Sequence, residues 1–382
     1  MKGSKPMPLT EDIKDYALDL GYSKAGVTSA EGFPEYAAEL QSRYDMYSWY
    51  IDSPRQPIIG AIPRKAMPSA KSIVSLVYDY ARGSFPENLT GKIGRLYQAR
   101  CYNAPEHRIN GTRPRLMREF LEKAGCRVAQ GIFLPERLTA ARAGIVTYGK
   151  NCFAFSEGMG SFIVLSSFVV DVELDYDEPT FAVKCPPKCT ACMDACPTGA
   201  IYEPLKMNPR RCIAFNTFWT QDGVPGSTSY IAPEIREKMG TWIHGCDICQ
   251  EACPMNQRRL KAKLPPDPFL EKIARDFDLI KLLDLSTEFY RTRVQPLMYN
   301  YIRDRKYFQR NAAIAMGNIG DPAFIPALAR ALKDPEELVR GYAAWAMGKI
   351  GGPKSGQILE SSLAREAAES VIREIKAAVV LA

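Results

Sequence analysis

Apolar positions fall at helical spacing from Leu9 to Gly26, where Ile13, Tyr16, Ala17 and Leu20 would share one face, Thr10 or Glu11 lies near the start and Gly21 supplies the stop. Lys24-Ala-Gly-Val-Thr, Ser72-Ile-Val-Ser-Leu-Val-Tyr-Asp-Tyr and Gly160-Ser-Phe-Ile-Val-Leu-Ser-Ser-Phe-Val-Val are β-rich runs that predict three strands. Arg113–Ala124 and Glu136–Ala143 have helical composition, so strands alternate with helices and predict an α/β domain over residues 1–178. Residues 179–257 carry few long regular elements, as expected of a domain in which metal ligation replaces an apolar core. From residue 258 to 382 the pattern is helical and repeats: Ala313-Ile-Ala-Met-Gly-Asn-Ile-Gly320 returns as Ala344-Trp-Ala-Met-Gly-Lys-Ile-Gly351, an offset of 31 residues. Asp321-Pro322 and Asp334-Pro335 punctuate the helices, and with a last helix from Ser361 to Ala378 they predict a short HEAT-like stack. The expected fold class is therefore α+β multidomain.

Length agrees, since 382 residues exceed one ordinary core. Ser72–Val77, Ser161–Val170, Ile314–Ala331 and Ala377–Ala382 are apolar, but none approaches the roughly 18 uninterrupted apolar residues of a membrane span. The N-terminus lacks an apolar signal region, so a cytoplasmic location is expected. Net charge is +7, and residues 257–382 hold 21 Lys+Arg against 15 Asp+Glu, which places most of the surplus in the last third.

Eight of the eleven cysteines lie between Cys185 and Cys253. The block opens with Cys185-Pro-Pro-Lys-Cys189-Thr-Ala-Cys192-Met-Asp-Ala-Cys196-Pro197, passes Cys212 and closes with Cys246-Asp-Ile-Cys249-Gln-Glu-Ala-Cys253-Pro254. Both ends carry C-x-x-C-x-x-x-C-P, the wrap of a [4Fe-4S] cluster, and in a reducing compartment clustered thiols point to metal. In two-cluster ferredoxins the fourth cysteine of each run serves the other cluster. One cluster would then take Cys185, Cys189, Cys192 and Cys253, and the second Cys196, Cys212, Cys246 and Cys249. Zinc, which also takes four thiolates, is the alternative. The three residues between Cys185 and Cys189 exceed the bacterial ferredoxin spacing by one. Cys101, Cys126 and Cys152 are expected to be buried thiols.

Pro197-Thr-Gly-Ala-Ile, Arg210-Arg-Cys212-Ile, His244-Gly-Cys246-Asp-Ile-Cys249, the run Glu136-Arg-Leu-Thr-Ala-Ala-Arg-Ala-Gly-Ile-Val-Thr-Tyr-Gly149-Lys150-Asn151 and the repeat at Asp334–Gly351 together resemble the epoxyqueuosine reductase family along nearly the whole chain. The resemblance implies an N-terminal cobalamin-binding domain, a ferredoxin-like double [4Fe-4S] domain and C-terminal HEAT-like repeats. It also implies reduction of an epoxide on a modified tRNA base, with electrons from an external low-potential donor of the flavodoxin or ferredoxin type. The corrinoid contacts it suggests are Arg95, Arg100, Arg142, Gly144, Gly149, Lys150, Asn151, Gly160 and Ser161. The glycines among them suit either close approach of a flat cofactor or ordinary turns. Only His107 and His244 are present and no Asp-x-His-x-x-Gly run exists, so cobalamin would be base-off without a histidine ligand.

Two departures stand out. Gln130 occupies the place of the family's proton-donating aspartate, six residues before Glu136, and an amide is no general acid. The family's Arg-Tyr-Ala-Arg-Gly-Arg-Asp-Tyr-His stretch becomes Arg95-Leu-Tyr-Gln-Ala-Arg100-Cys101-Tyr102-Asn103. Replacement donors are sought at Tyr97, Tyr102, Tyr148 and Glu157, with Tyr102 and Tyr148 the two to test against a packing role. Between Phe289 and Arg310 cations alternate with aromatics, which suits RNA or a solvated helix face with core aromatics. Arg291, Arg303, Arg305, Lys306 and Arg340 are the phosphate contacts if RNA binds. Beside the tRNA-epoxide reading stand a reductive-dehalogenase-like enzyme and an electron-transfer protein that activates a corrinoid protein partner.

Overall fold

Every pairing in the predicted sheet is antiparallel. In the computed structural model, which describes residues 8–101, 111–218, 230–298 and 304–382, strands β1 (Lys24–Ser29), β2 (Ser72–Asp79) and β3 (Ile163–Val170) lie in the order β1-β2-β3. Val74 stands opposite Val27 on one side and Phe168 on the other. Alternation of strands with helices more often accompanies parallel pairing. The long connections over residues 30–71 and 80–162 allow either sense, so alternation did not fix it. Central β2 is buried from end to end, which is why it reads as an unbroken apolar run. Helices α1 (Pro8–Asp19) and α4 (Thr112–Lys123) cover one face through Ile13, Ala17, Met117 and Leu121, packed with Val74 and Leu76. On the other face α5 (Glu136–Arg142) sets Ala140 and Ala141 against Val77. Two tyrosine-bearing helices, α2 (Pro34–Ser42) and α3 (Tyr44–Ile51), follow β1.

The cysteine block shares its core with the helices after it. Ile213, Ile235, Met239, Trp242 and Ile243 run without a break into Phe308, Ile314 and Tyr342, so the expected boundary at residue 257 falls inside one continuous apolar cluster. Buried polar groups stitch the same seam: Asn311 Nδ2 donates to the carbonyls of Thr217 (2.8 Å) and Ile243 (2.9 Å), and Arg310 donates to that of Asn216 (2.8 Å). Unpaired, those groups would cost on the order of 1–3 kcal/mol each.

The repeat appears as α6 (Arg305–Ile319), α7 (Ile325–Ala331), α8 (Glu337–Ile350), α9 (Pro353–Leu363) and α10 (Glu369–Leu381). Its repeated glycine marks a helix crossing. A Cβ on Gly317 would lie 2.8 Å from the Trp345 ring and 2.9 Å from Ala346, and one on Gly348 would lie 2.7 Å from Ala378. Gly317→Ala is therefore expected to cost about 1–3 kcal/mol through overpacking, read as a lower urea midpoint. The last helix differs from expectation, because α9 ends at Leu363 and α10 begins at Glu369. The cause is Glu366, whose carboxylate accepts the backbone N–H groups of Ala367 and Ala368 (3.0 Å each) and grips Arg340 at 2.7 and 2.9 Å. Hydrogen bonding from Arg340 holds that carboxyl down to about 2.

Candidate functional site: two thiol groups beside a tyrosine cleft

The eight clustered thiols fall into two sets of four. Cys185, Cys189, Cys192 and Cys253 line one small cavity together with Lys150, Asn151, Ala191 and Pro254. Burial pushes the Cys192 thiol up to about 11, with Cys185, Cys253 and Cys189 adding to it. Cys253 is raised by burial and by Cys185 and Cys189, so it keeps company with the first run and not with the Cys246–Cys249 pair that it follows. In the second set, burial raises Cys212, Cys246 and Cys249, whose charged neighbours include one another and Cys196. Cys196 is half-buried, and although that desolvation raises it, hydrogen bonds from Thr198 and from the backbone N–H groups of Ala200 and Ile201 leave it below the usual thiol range. Among the described residues no three His, Cys, Asp or Glu side chains converge on a point where one ion could sit. Four thiols around a cavity suit a cubane better than a single zinc, whose ligands all lie about 2.3 Å from one centre.

The extra residue between Cys185 and Cys189 is accommodated by Lys150. Its backbone N–H donates to Cys185 Sγ (3.3 Å), and its ammonium donates to the carbonyls of Pro186 (3.1 Å), Pro187 (2.7 Å) and Cys189 (2.9 Å). All three ammonium hydrogens are thereby engaged in pinning the ligand loop.

Lys150 is thus engaged by the Cys185–Cys189 loop, and most of the other suggested corrinoid contacts also have partners within the protein. Arg95 pairs with Asp247 (3.0 Å) and Glu251 (2.6 Å), and Arg100 with Asp267 (2.8 Å). Arg142 stacks on Phe33 at 3.8 Å and donates to the carbonyls of Ser29, Glu31 and Gly32. A Cβ on Gly144 would strike the Glu178 carbonyl at 2.5 Å, and one on Gly149 the Phe155 ring at 2.3 Å. At Gly160, with φ +64°, what approaches is Asn256 Oδ1, 2.3 Å from a would-be Cβ. The same Asn256 accepts from Ser161 N–H (3.0 Å) and donates to Ser161 Oγ (2.8 Å), while Asn151 Nδ2 donates to the Cys249 carbonyl (3.3 Å). Gly160, Ser161 and Asn151 dock the cysteine block onto the sheet domain. These six arginine and glycine positions, with Ser161 and Asn151, are thus engaged within the protein.

Tyr148, Met159, Ile163 and Leu165 form a half-buried apolar wall against α5. At its rim the Tyr36 hydroxyl, pushed far up by burial, hydrogen-bonds Tyr50 and lies within electrostatic range of Arg137 and Tyr148. Burial pushes Tyr148 up to about 12, with Arg137 opposing and Cys152 adding. Burial pushes the Cys152 thiol up, with Arg137 and Arg43 opposing and Cys212 adding, and the Tyr148 carbonyl accepts from Lys184 N–H (3.3 Å) on the loop of the first set. The Tyr47 hydroxyl donates to the Met207 carbonyl (2.7 Å) and Trp49 meets Phe215 edge-on, which fixes α3 against that set. Tyr36, Tyr50, Arg43 and Arg137 carried no signal at sequence level, because scattered tyrosines and arginines have no diagnostic spacing.

Gln130 is exposed in the loop before α5, held at its base by Arg118, which donates to the carbonyls of Val128 and Ala129. Tyr97 is a core ring stacked edge-on against His244 at 4.5 Å, and Glu157 lies exposed in a turn. Tyr102, His107 and Arg303 lie outside the described residues. His244 is buried among Tyr97, Phe218 and Phe308, far from any ligand role toward the wall. Cys101 and Cys126 are buried as expected, whereas Cys152 is half-buried.

Glu136 opens α5 on the floor of this region. Its carboxyl is pushed up to about 7 by burial, against the donated hydrogen bond from Ser167 Oγ (2.6 Å). A folded-state value above the unfolded one, about 4.3, means that stability is full at acid pH and falls as pH rises toward 7. Glu136→Gln removes that slope. The variant should gain about 2 kcal/mol on the wild type between pH 5 and pH 8, after allowance for the residue's partial exposure, as measured by urea unfolding at both values.

The candidate RNA contacts are largely occupied. Arg340 is locked to Glu366, Lys306 pairs with Asp304 (3.2 Å) and Glu336 (3.7 Å), and Arg305 donates to the Leu285 carbonyl (3.1 Å). Arg291 is exposed. The aromatics of this stretch, Phe289, Tyr290 and Phe308, pack into the core.

Comparison with known proteins bears on this geometry. The family described as 4Fe-4S double cluster binding domain matches residues 185–256, and HEAT repeats match residues 295–379. The epoxyqueuosine reductase of Bacillus subtilis is 30% identical over 98% of this chain and 96% of its own length, and that of Escherichia coli 29% identical over 94% of each. A crystal structure of epoxyqueuosine reductase with an epoxyqueuosine-modified tRNA-Tyr stem loop superposes with a TM-score of 0.81 at 30% identity, covering 98% of both chains. A Bacillus subtilis structure with its catalytic aspartate loop swung out of the active site superposes with a TM-score of 0.79 at 29% identity, again over 98% of each chain. No helix among the described residues is long and apolar enough to cross a membrane.

Proposed function

The chain belongs to the epoxyqueuosine reductase family, and from that premise we propose that it removes the epoxide oxygen from epoxyqueuosine in tRNA, using two cubanes as its electron supply. It is an oxidoreductase with a double [4Fe-4S] domain and C-terminal HEAT repeats. In this reading Cys185, Cys189, Cys192 and Cys253 hold the first cubane and Cys196, Cys212, Cys246 and Cys249 the second. The observation that carries the reading is the cavity lined by Cys185, Cys189, Cys192 and Cys253, which joins the first cysteine run to the last cysteine of the second as two-cluster ferredoxins do.

Deoxygenating an epoxide to an alkene consumes two electrons and two protons and releases water. Cubanes supply single electrons, so protons must come from the cleft. Gln130 cannot donate one. The phenol of Tyr148, neutral at pH 7 and beside Arg137, can, with Tyr36 and Tyr50 as a hydrogen-bonded reserve. A corrinoid suits the wall of Tyr148, Met159, Ile163 and Leu165, where it would supply a low-valent cobalt reductant. Its macrocycle would lie on apolar side chains, with no histidine at hand among the described residues for cobalt.

Anaerobic reconstitution with iron, sulfide and hydroxocobalamin, followed by absorption and EPR spectra, tests the arrangement. About eight irons per chain and a retained base-off corrinoid are expected. Replacing Leu165 by lysine should release the corrinoid and keep the iron. Corrinoid that washes away from the wild type while both clusters form would contradict the wall assignment.

A further inference from the structure

The first thiol set is reached through an exposed loop. Cys185 and Cys189 sit on a loop in which Phe181, Ala182, Val183, Lys184, Pro186, Pro187, Lys188 and Thr190 are all exposed. Phe181 is 48% and Val183 39% exposed, which is unusual for side chains of that size. The loop is also held in one shape. Lys150 pins three of its carbonyls from beneath, and Pro186 and Pro187 restrict its backbone.

Charge changes sign along this segment. The acidic stretch just before it is partly neutralised, Asp171 by Arg127 and Asp177 by Lys14, while Glu173 and Glu178 are exposed. From residue 184 to 211 the chain carries Lys184, Lys188, Lys206, Arg210 and Arg211 against Asp194 and Glu203. Of those two acids, Glu203 is paired with Lys206 (2.9 Å) and Asp194 accepts from Thr190 (2.6 Å). Exposed apolar anchors beside Lys184 and Lys188, on a pinned loop that carries two of the first set's thiols, match a small transient interface with a partner of opposite charge.

We propose that the loop over residues 181–190 is the docking surface for an acidic one-electron carrier protein, with Lys184 and Lys188 steering it and Phe181 and Val183 seating it. This rests on the reading that Cys185 and Cys189 hold a cubane.

The test uses the full chain with both clusters rebuilt, and compares reduction by an acidic flavodoxin with reduction by photoreduced deazaflavin. Lys184→Glu with Lys188→Glu should lower the second-order rate with flavodoxin at least tenfold at low ionic strength and flatten its salt dependence. Deazaflavin rates and iron content should be unchanged. Phe181→Ser should weaken the flavodoxin reaction without altering its salt slope. Because charge reversal beside ligands could disturb assembly, Lys184→Gln with Lys188→Gln repeats the measurement at smaller amplitude. An unchanged flavodoxin rate in variants that retain full iron would overturn the docking surface. Weaker tRNA binding with unchanged flavodoxin reduction would overturn it in favour of an RNA face. Failure of deazaflavin to reduce even the wild type would instead overturn the cluster reading beneath it.

Discussion

Replacing Cys253 by alanine should abolish the cluster held by Cys185, Cys189 and Cys192, while the cluster of the adjacent Cys246 and Cys249 survives. The two-cluster ferredoxin pattern already assigns Cys253 to that cluster, although it follows Cys249 by four residues. The outcome also follows from the cavity in which Cys253 faces Cys185, Cys189 and Cys192. Iron should fall from about eight toward about four per chain, or the damaged site should persist as a three-iron cluster with its own EPR signal. Cys185→Ala should give the same spectrum, because it strikes the same cubane. Cys246→Ala should remove the complementary signal. If Cys253→Ala and Cys246→Ala instead gave one spectrum, the two sets would be wrongly drawn.

Tyr148→Phe should lower epoxide reduction by about 100-fold or more, within the usual contribution of a general acid, while leaving iron content and cluster EPR untouched. Loss of one hydroxyl from a half-buried ring leaves its packing in place, so a fall in turnover would report the proton. Aspartate at position 130 should then restore much of the activity. The loop that carries Gln130 is exposed before α5, and a carboxylic acid there would return what the family's aspartate supplies. Gln130→Asp in the otherwise unaltered chain should change turnover only a few-fold. A large gain in that single variant would mean that the missing acid limits the chain and that Tyr148 does not replace it. Tyr102, the other phenol singled out in the sequence, would serve as the parallel control.

What could be read from the sequence was whatever depends on local spacing. Thiolate ligands come in short fixed loops, so the two C-x-x-C-x-x-x-C-P runs announced themselves. The repeat did so because each unit reuses a glycine at its helix crossing, Gly317 and then Gly348. What could not be read depends on partners distant in the chain. Gly160 suggested close approach, correctly, but the approaching group is Asn256, whose amide meets Ser161 from 95 residues away. Arg95 suggested cofactor contact and instead pairs with Asp247, 152 residues on. Arg340 suggested phosphate and instead closes on Glu366, which also breaks the helix expected to run through it. The tyrosine cleft was the least legible of all, because Tyr36, Tyr50, Arg137 and Tyr148 come from α2, α3, α5 and a short hairpin with no pattern to join them. Sequence located the electron supply well. Only the fold placed the groups that can supply protons beside it.

The measurement that bears most directly on this account is anaerobic incubation of the reconstituted chain, with both clusters reduced and corrinoid present, with tRNA that carries epoxyqueuosine, followed by nucleoside analysis. Queuosine should appear in proportion to electrons delivered, two per product. Fully reduced clusters with no queuosine formed would contradict the proposed reaction and leave an electron-transfer protein in its place.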